Sequence, residues 1–238
     1  AADLPRLEAL AARARERGLR VAVNQNARWA PAWRATTLLV RSGAIGDVVG
    51  VTHLHDKPLP PLTGTPFDQI EQMLLVDYLN HWFDITTTWL PAGSLERVSA
   101  VSSRVPGQPD EALNPWHATA QLGFATGASG TLRIVGNGVT EGGGCPFWVH
   151  GTAGTIRGSI LRGSDRVVLE NAAGEREIPL TGEWFVDGFV GAMAELLVAN
   201  DTGREPENDI PSVVPGLRAA FAAARSASNG GIPVEVEA

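Results

Sequence analysis

Two acids and a histidine stand close together in the otherwise apolar stretch VDYLNHWFD. Asp77 precedes His81 by four residues, and Asp84 follows it by three. On a helix that turns about 100° per residue, the three side chains share one face. A histidine titrates near neutrality and can accept a proton, while a carboxylate one turn away can fix its tautomer. The spacing therefore predicts either a proton-transfer site or an ordinary solvated helix face.

The composition is that of a folded protein with a sizeable core, since 44% of the residues are hydrophobic and 19% are charged. The net charge of −7 and the lack of a Lys/Arg run argue against nucleic acid or an anionic membrane as partner. No apolar run approaches the roughly 20 residues that span a bilayer. Cys145 is the single cysteine, which excludes an internal disulfide and fits a cytoplasmic location.

The order of the predicted elements indicates two unequal parts. Residues 3–18 predict a helix and LRVAVN a buried strand, which together form the last unit of a parallel α/β sheet. Residues 31–43 and 68–90 predict two further helices. Short alternating segments with glycine-rich turns follow, and then two helices and a short strand close the chain. This order predicts an α+β fold with a large open, mostly antiparallel sheet and helices packed on one face.

Several segments together resemble the glucose–fructose oxidoreductase / inositol dehydrogenase / MocA (Gfo/Idh/MocA) family. VDYLNHWFD is similar to the family's D-x-G-x-H-x-x-D helix, with Leu79 where glycine is usual. The order and spacing of the matching segments carry the resemblance. The other segments are RERGLRVAVNQNARW, SGAIGD, WVHGTAGTIRG and WFVDGFVGAMAELLVANDTGREPE.

The resemblance implies an oxidoreductase that uses NAD or NADP on a sugar or polyol. It also implies a dihydrodipicolinate-reductase-like C-terminal domain at residues 27–238, for substrate binding and for oligomerisation as a homodimer or homotetramer through the open sheet. Residues 1–26 would be the remnant of an N-terminal Rossmann domain. The glycine-rich phosphate fingerprint and the family's E-K-P lysine are missing, and Lys57, the only lysine, lies far past that point. We therefore expect most of the Rossmann domain to precede Ala1, and NAD(P) binding by this chain alone to be weak or absent.

The resemblance also assigns roles to the polar stretch. It implies that His81 is the general base and acid for a secondary alcohol, with Asp77 orienting its ring. Asp84 is expected to be structural, as a buried acid bonded to backbone N–H groups near residues 24–28. Gln25 and Asn26 follow the last strand of the α/β unit, where the carboxyl end of a parallel strand faces the ligand crevice, and we expect them to bind the cofactor.

The remaining candidates are expected at the substrate. Arg28 could bond polyol hydroxyls, and a domain-junction network is the equal alternative. His53 and His55 alternate on a strand and so share one face. His150 and Trp148, in the WVHG segment, could meet a sugar ring. Two other functions stay open, namely an inactive sheet-forming oligomerisation module and a metal-dependent hydrolase or isomerase that uses His53, His55 and His81.

Overall fold

The computed structural model describes residues 4–56, 58–59, 62–90, 95–136, 144–161 and 163–236, so that Lys57 lies outside the described residues. Its α-helices in this part are α1 Leu4–Glu16, α2 Pro31–Arg41, α3 Asn80–Trp89, α4 Phe189–Thr202 and α5 Ile210–Ser228. The strands are β1 Val48–His55, β2 Leu95–Ser103, β3 His117–Phe124, β4 Ser129–Val135, β5 Cys145–Gly151, β6 Gly154–Ile160, β7 Arg166–Asn171, β8 Gly174–Glu177 and β9 Val234–Glu235.

The strands form one sheet in the order β8-β7-β6-β5-β1-β4-β3-β2-β9. Strands β1 and β4 run parallel, and the other neighbouring pairs described are antiparallel. The alternating segments read from the sequence are the hairpin strands of this sheet, because side chains of period two suit a sheet with one buried face. The predicted α+β class with a large, mostly antiparallel sheet is confirmed.

Three helices cover one face of the sheet. Helix α2 lies against β6, α3 against β1 and α5 against β2. In β5 the side chains of Cys145, Phe147 and Val149 are buried, whereas Trp148 is only partly buried and His150 is exposed. This alternation gives the sheet a core face under the helices and an open face on the other side.

The predicted helix over residues 68–90 is interrupted, which is a correction to the sequence interpretation. Pro66–Gln69 form a 3₁₀ turn, and Gln72 then takes a positive φ of 53°. Leu74–Tyr78 wind as a π-helical turn before α3 begins at Asn80. Short π-helical turns are uncommon and occur often at functional sites. The regular helical spacing assumed for Asp77 and His81 therefore does not hold across this break.

The beginning of the described chain packs on its end. Helix α1 contacts α5, and Ala22 forms an isolated antiparallel bridge with Asp209. Residues 19–24 form only this bridge and lack the regular strand that LRVAVN predicts. Asp209 caps α5 by accepting a hydrogen bond from the Ser212 N–H at 2.8 Å. Among the described residues, the helices are all too short or too polar to cross a bilayer.

Candidate active site

His81 lies in the first turn of α3, directly after the π-helical turn. Its Nδ1 is 2.6 Å from Oε1 of Gln25. A carbonyl oxygen can only accept, so this orientation of the Gln25 amide assigns the hydrogen to Nδ1. In the neutral ring Nε2 is then the nitrogen with a free lone pair, and it can take a proton from a ligand.

The surroundings keep the imidazole neutral. Burial lowers the pKa of His81, and the Asp84 carboxylate opposes this change in part. The ring of Trp184 meets the His81 ring edge-on, with 5.3 Å between centroids and an interplanar angle of 82°. A neutral ring with a fixed tautomer is the form that a general base needs.

His81 opens onto a cleft of about 450 Å³. Aromatic and apolar side chains form most of its wall, and a few polar groups lie among them, as in many small-molecule sites. The lining residues are Leu62, Phe67, Met73, Asp77, Tyr78, Asn80, His81, Trp82, Leu161, Trp184 and Phe185. Leu79, which replaces the glycine of the family pattern, is buried in the core and is not part of this wall.

Asp77 makes no hydrogen bond to His81 among the described residues, whereas we expected from the family helix that it orients the histidine ring. It lies inside the π-helical turn, where the helix is wound more widely than the spacing argument assumed. Within the described residues its carboxylate makes no hydrogen bond or ion pair, and Gln25 occupies the ring nitrogen instead. Asp77 stays exposed at the cleft, but neighbouring atoms displace part of its water, and this desolvation raises the pKa of its carboxyl.

Arg28 and Asp84 form a buried bidentate ion pair beside the cleft. Both bonds, from Nε and from one terminal nitrogen of Arg28, are 2.7 Å long. The remaining guanidinium hydrogens go to the carbonyls of Glu207 and Ser212 and to the Ser212 hydroxyl. Because five N–H groups make five bonds, none is left for a polyol, which argues against the substrate role expected for Arg28.

The ion pair and the hydrogen bonds from Arg28 to Ser212 together connect three elements. Arg28 belongs to the 3₁₀ turn Asn26–Trp29, Asp84 to α3 and Ser212 to α5. The approach of α5 is close, since a Cβ on Gly216 would lie 2.7 Å from the Cα of Asp84. Asp84 thus has a buried structural position, but its partner is the Arg28 side chain rather than the backbone N–H groups that the sequence suggested.

Gln25 and Asn26 are both used inside the chain. Gln25 bonds His81, and the Oδ1 of Asn26 accepts a hydrogen bond of 2.6 Å from the indole N–H of Trp184. Both residues are buried. They hold the histidine and the tryptophan that form one wall of the cleft, whereas the sequence placed them at the cofactor.

His53 and His55 face the core, but they lie in different surroundings. His53 is 1% exposed, and neither of its ring nitrogens has a hydrogen-bond partner among the described residues. It is therefore too deeply buried to line the substrate cleft, contrary to expectation. His55 is also buried, and its Nε2 lies 3.2 Å from the hydroxyl of Tyr78. The described chain contains no group of three or more His, Cys, Asp or Glu side chains suited to a metal ion, which leaves the metal-dependent alternative unsupported.

His150 and Trp148 do not line this cleft, contrary to the expectation that they meet a sugar ring there. Trp148 pairs with Thr52 and His150 with Gly50, so both side chains point to the open face of the sheet, opposite to the face of His53. The sequence shows that the WVHG segment alternates. It does not show which face each residue takes, because the pairing of β5 with β1 decides that.

Comparisons with known proteins agree with this architecture. The family model described as the GFO/IDH/MocA C-terminal domain matches residues 33–157. No curated protein is similar enough in sequence to match.

Solved structures share the fold at low sequence identity. An oxidoreductase from Agrobacterium radiobacter in complex with NAD+, L-tartaric acid and magnesium has a TM-score of 0.83 at 20% identity, covering 99% of this chain and 70% of that one. An oxidoreductase domain protein from Kribbella flavida gives 0.80 at 20%, with 99% and 71% covered. A levoglucosan dehydrogenase in complex with NADH and levoglucosan gives 0.77 at 20%, with 99% and 71% covered. With more than half of its residues matched by the family model, this chain belongs to the GFO/IDH/MocA family.

Proposed function

We propose that this chain is the substrate-binding part of an NAD(P)-dependent oxidoreductase that oxidises a secondary alcohol of a sugar or polyol. The contact between His81 Nδ1 and Gln25, which leaves Nε2 as the basic nitrogen in the cleft, is the observation that carries the proposal. Family membership and the NAD- and NADH-bound structural neighbours support the reaction class.

In the proposed reaction His81 accepts the hydroxyl proton at Nε2. The imidazolium that forms stays bonded through Nδ1–H to the carbonyl of Gln25, and the Asp84 carboxylate stabilises its charge. In the reverse direction the same nitrogen returns the proton. Asp77, exposed at the cleft and bonded to no other described side chain, is placed to accept a bond from a neighbouring substrate hydroxyl.

The nicotinamide cofactor would supply the hydride acceptor, and the cleft fits only one end of it. The aromatic wall of Trp82, Trp184 and Phe185 suits a flat ring or a sugar face. Among the described lining residues there is no Lys or Arg to pair with a pyrophosphate. We therefore propose that the dinucleotide is held mainly by a nucleotide-binding domain outside residues 27–238, and that residues 1–26 belong to that domain. Titration of this chain with NAD and NADP should show weak binding or none.

The test of the proposed base is His81→Asn, made in a protein that includes the nucleotide-binding domain. We expect kcat for polyol oxidation to fall by about 10²- to 10⁴-fold, the usual contribution of a positioned general base. The pH dependence assigned to the base should disappear as well. His150→Asn, on the open face of the sheet, is the matched control and should keep its turnover. Unchanged turnover of His81→Asn would contradict the assignment.

The open face of the sheet favours a second, compatible function as an oligomerisation surface. On this face the Thr131 hydroxyl donates to Gln121 across β3 and β4 at 2.8 Å. We propose that the chain forms a homodimer or homotetramer through this face. Sedimentation of the wild type and of Thr131→Arg should show an oligomer that the substitution dissociates. A monomeric wild type would contradict this proposal and leave the His81 assignment untouched.

A further inference from the structure

A buried histidine supports a tyrosine at the cleft. His55 is the last residue of β1 and is 3% exposed. Its Nε2 lies 3.2 Å from the hydroxyl oxygen of Tyr78. The two rings meet edge-on, with 5.1 Å between centroids and an interplanar angle of 75°. The tyrosine hydroxyl is thus attached to a rigid strand of the sheet.

Tyr78 ends the π-helical turn and lines the same cleft as His81. Its ring is parallel to that of Trp82, with 6.3 Å between centroids and an angle of 11°. Burial raises the pKa of the Tyr78 phenol, so the hydroxyl remains protonated at neutral pH. The hydroxyl is therefore a neutral group held at a fixed place, three residues before the base.

The hydrogen bond with His55 lets the Tyr78 hydroxyl act towards an alcohol either as a donor or as an acceptor. If Nε2 of His55 carries the hydrogen, the phenol oxygen accepts it and the phenol O–H is left to donate to a second partner. If Nε2 is bare, the phenol donates to it and offers its lone pairs to the ligand instead. A sugar hydroxyl is itself both donor and acceptor, so the pair can bind it in both orientations.

We propose that Tyr78 is a second hydroxyl-binding residue of the cleft and that His55 is the positioning residue for it. The substrate then engages the chain through at least two hydroxyls, one at His81 and one at Tyr78, which selects polyols over simple alcohols. This inference rests on the proposed function, because it assumes that the alcohol to be oxidised lies at His81.

One NMR experiment on this chain distinguishes polyol binding at His81 from hydroxyl binding at Tyr78. Tyr78 is the only tyrosine, so 3-fluorotyrosine gives a single ¹⁹F resonance. The ring protons of His81 provide an independent reporter. Glycerol, D-sorbitol, D-glucose and myo-inositol are the polyol probes, and cyclohexanol is the single-hydroxyl control. We expect at least one polyol to shift both signals and cyclohexanol to leave the tyrosine signal in place.

The outcomes are distinct. A polyol that shifts His81 and leaves Tyr78 unmoved overturns this inference and keeps the proposed function. If no polyol moves either signal, the proposed function fails, and the inference fails with it. Tyr78→Phe should lower the affinity for the polyol that binds by about 3- to 10-fold, which corresponds to the loss of one neutral hydrogen bond.

The role of His55 needs a readout that folding alone does not change. His55→Leu should lower polyol affinity and shift the ¹⁹F signal of the free protein, whereas His55→Gln, which keeps a hydrogen-bonding group, should restore much of the affinity. His117→Leu, on β3 and outside the cleft wall, is the matched control. Equal affinity in His55→Leu and in the wild type would contradict the positioning role.

Discussion

His53 and His81 are two histidines set among tryptophan rings, and their surroundings differ in one respect. His53 stacks on Trp89 at 5.6 Å, and within the described residues it has no hydrogen-bond partner. His81 meets Trp184 at 5.3 Å, but it also bonds Gln25 and opens onto the cleft. Burial lowers the pKa of both, that of His53 to about 3. A polar partner and access to a ligand, rather than residue type or burial, therefore distinguish the candidate base.

Of the substitutions predicted here, breaking the Arg28–Asp84 ion pair near His81 should have the largest effect, a loss of stability. Arg28→Ala leaves Asp84 as a buried, unpaired carboxylate and removes the bond to α5. We expect a loss of about 3–5 kcal/mol in the free energy of unfolding, typical for breaking a buried ion pair from one side. Urea denaturation measures it.

The control for this substitution is Arg166→Ala, which breaks an exposed ion pair with Glu177. Exposed pairs contribute about 1 kcal/mol or less, so this variant should remain close to the wild type. A loss as large as that of Arg28→Ala would show that the burial of the Arg28–Asp84 pair does not set its contribution.

The burial of His53 should make the free energy of unfolding depend on pH in the acid range. Neutral His53 has a depressed pKa in the folded state, so the unfolded chain binds the extra proton as the pH falls. Stability is therefore unaffected well above pH 6.5 and declines from there towards pH 3, by up to about 1.4 kcal/mol for each pH unit. His53→Leu should remove this part of the decline.

At neutral pH His53→Leu should change stability by only about 1 kcal/mol, because it replaces an unpaired polar ring by an apolar group of similar size. Thermal unfolding between pH 4 and pH 8 measures both effects. His150→Gln, at an exposed position on the other face, is the control and should follow the wild type. An unchanged acid slope in His53→Leu would show that this histidine is already charged or accessible in the folded protein.

The smallest effect is expected for substitutions of Gln25, the hydrogen-bond partner of His81, and it concerns the pH dependence of the rate. Gln25→Glu places a carboxylate against Nδ1 of His81, and an opposite charge there raises the pKa of the imidazole. The acid limb of the pH–rate profile should then move to higher pH while kcat on its plateau changes little. Gln25→Leu removes the acceptor and should lower kcat without that displacement. An identical profile for Gln25→Glu would mean that Gln25 does not contact the base.

The sequence predicted the strands and the helix-covered sheet because alternation and turn residues are local signals. It also singled out His81, because the spacing within a family helix is local, and the role of His81 as the base stays a prediction. It missed the Gln25–His81 and Arg28–Asp84 contacts, since each pair is separated by 56 residues and only the packed fold brings them together. The spacing of Asp77 and His81 did not predict their geometry, because a π-helical turn replaces the regular helix between residues 74 and 78.

The sequence also did not show which face of the sheet each strand residue occupies. His53 and Trp148 both lie on alternating strands, yet one faces the core and the other the open side. Only the register of β1 with β5 decides this. The tyrosine next to Asp77 stood in the same short stretch as the base, but its partner His55 comes from a distant strand.

The tautomer of His81 tests the central claim most directly. ¹⁵N-labelled protein at a pH above the pKa of His81 gives separate long-range ¹H–¹⁵N correlations for the two ring nitrogens, and the signals lost in His81→Asn assign them. We predict a protonated Nδ1, bonded to Gln25, and a bare Nε2 whose signal shifts when a polyol binds. A protonated Nε2, or a mixture of tautomers that Gln25→Leu leaves unchanged, would contradict it.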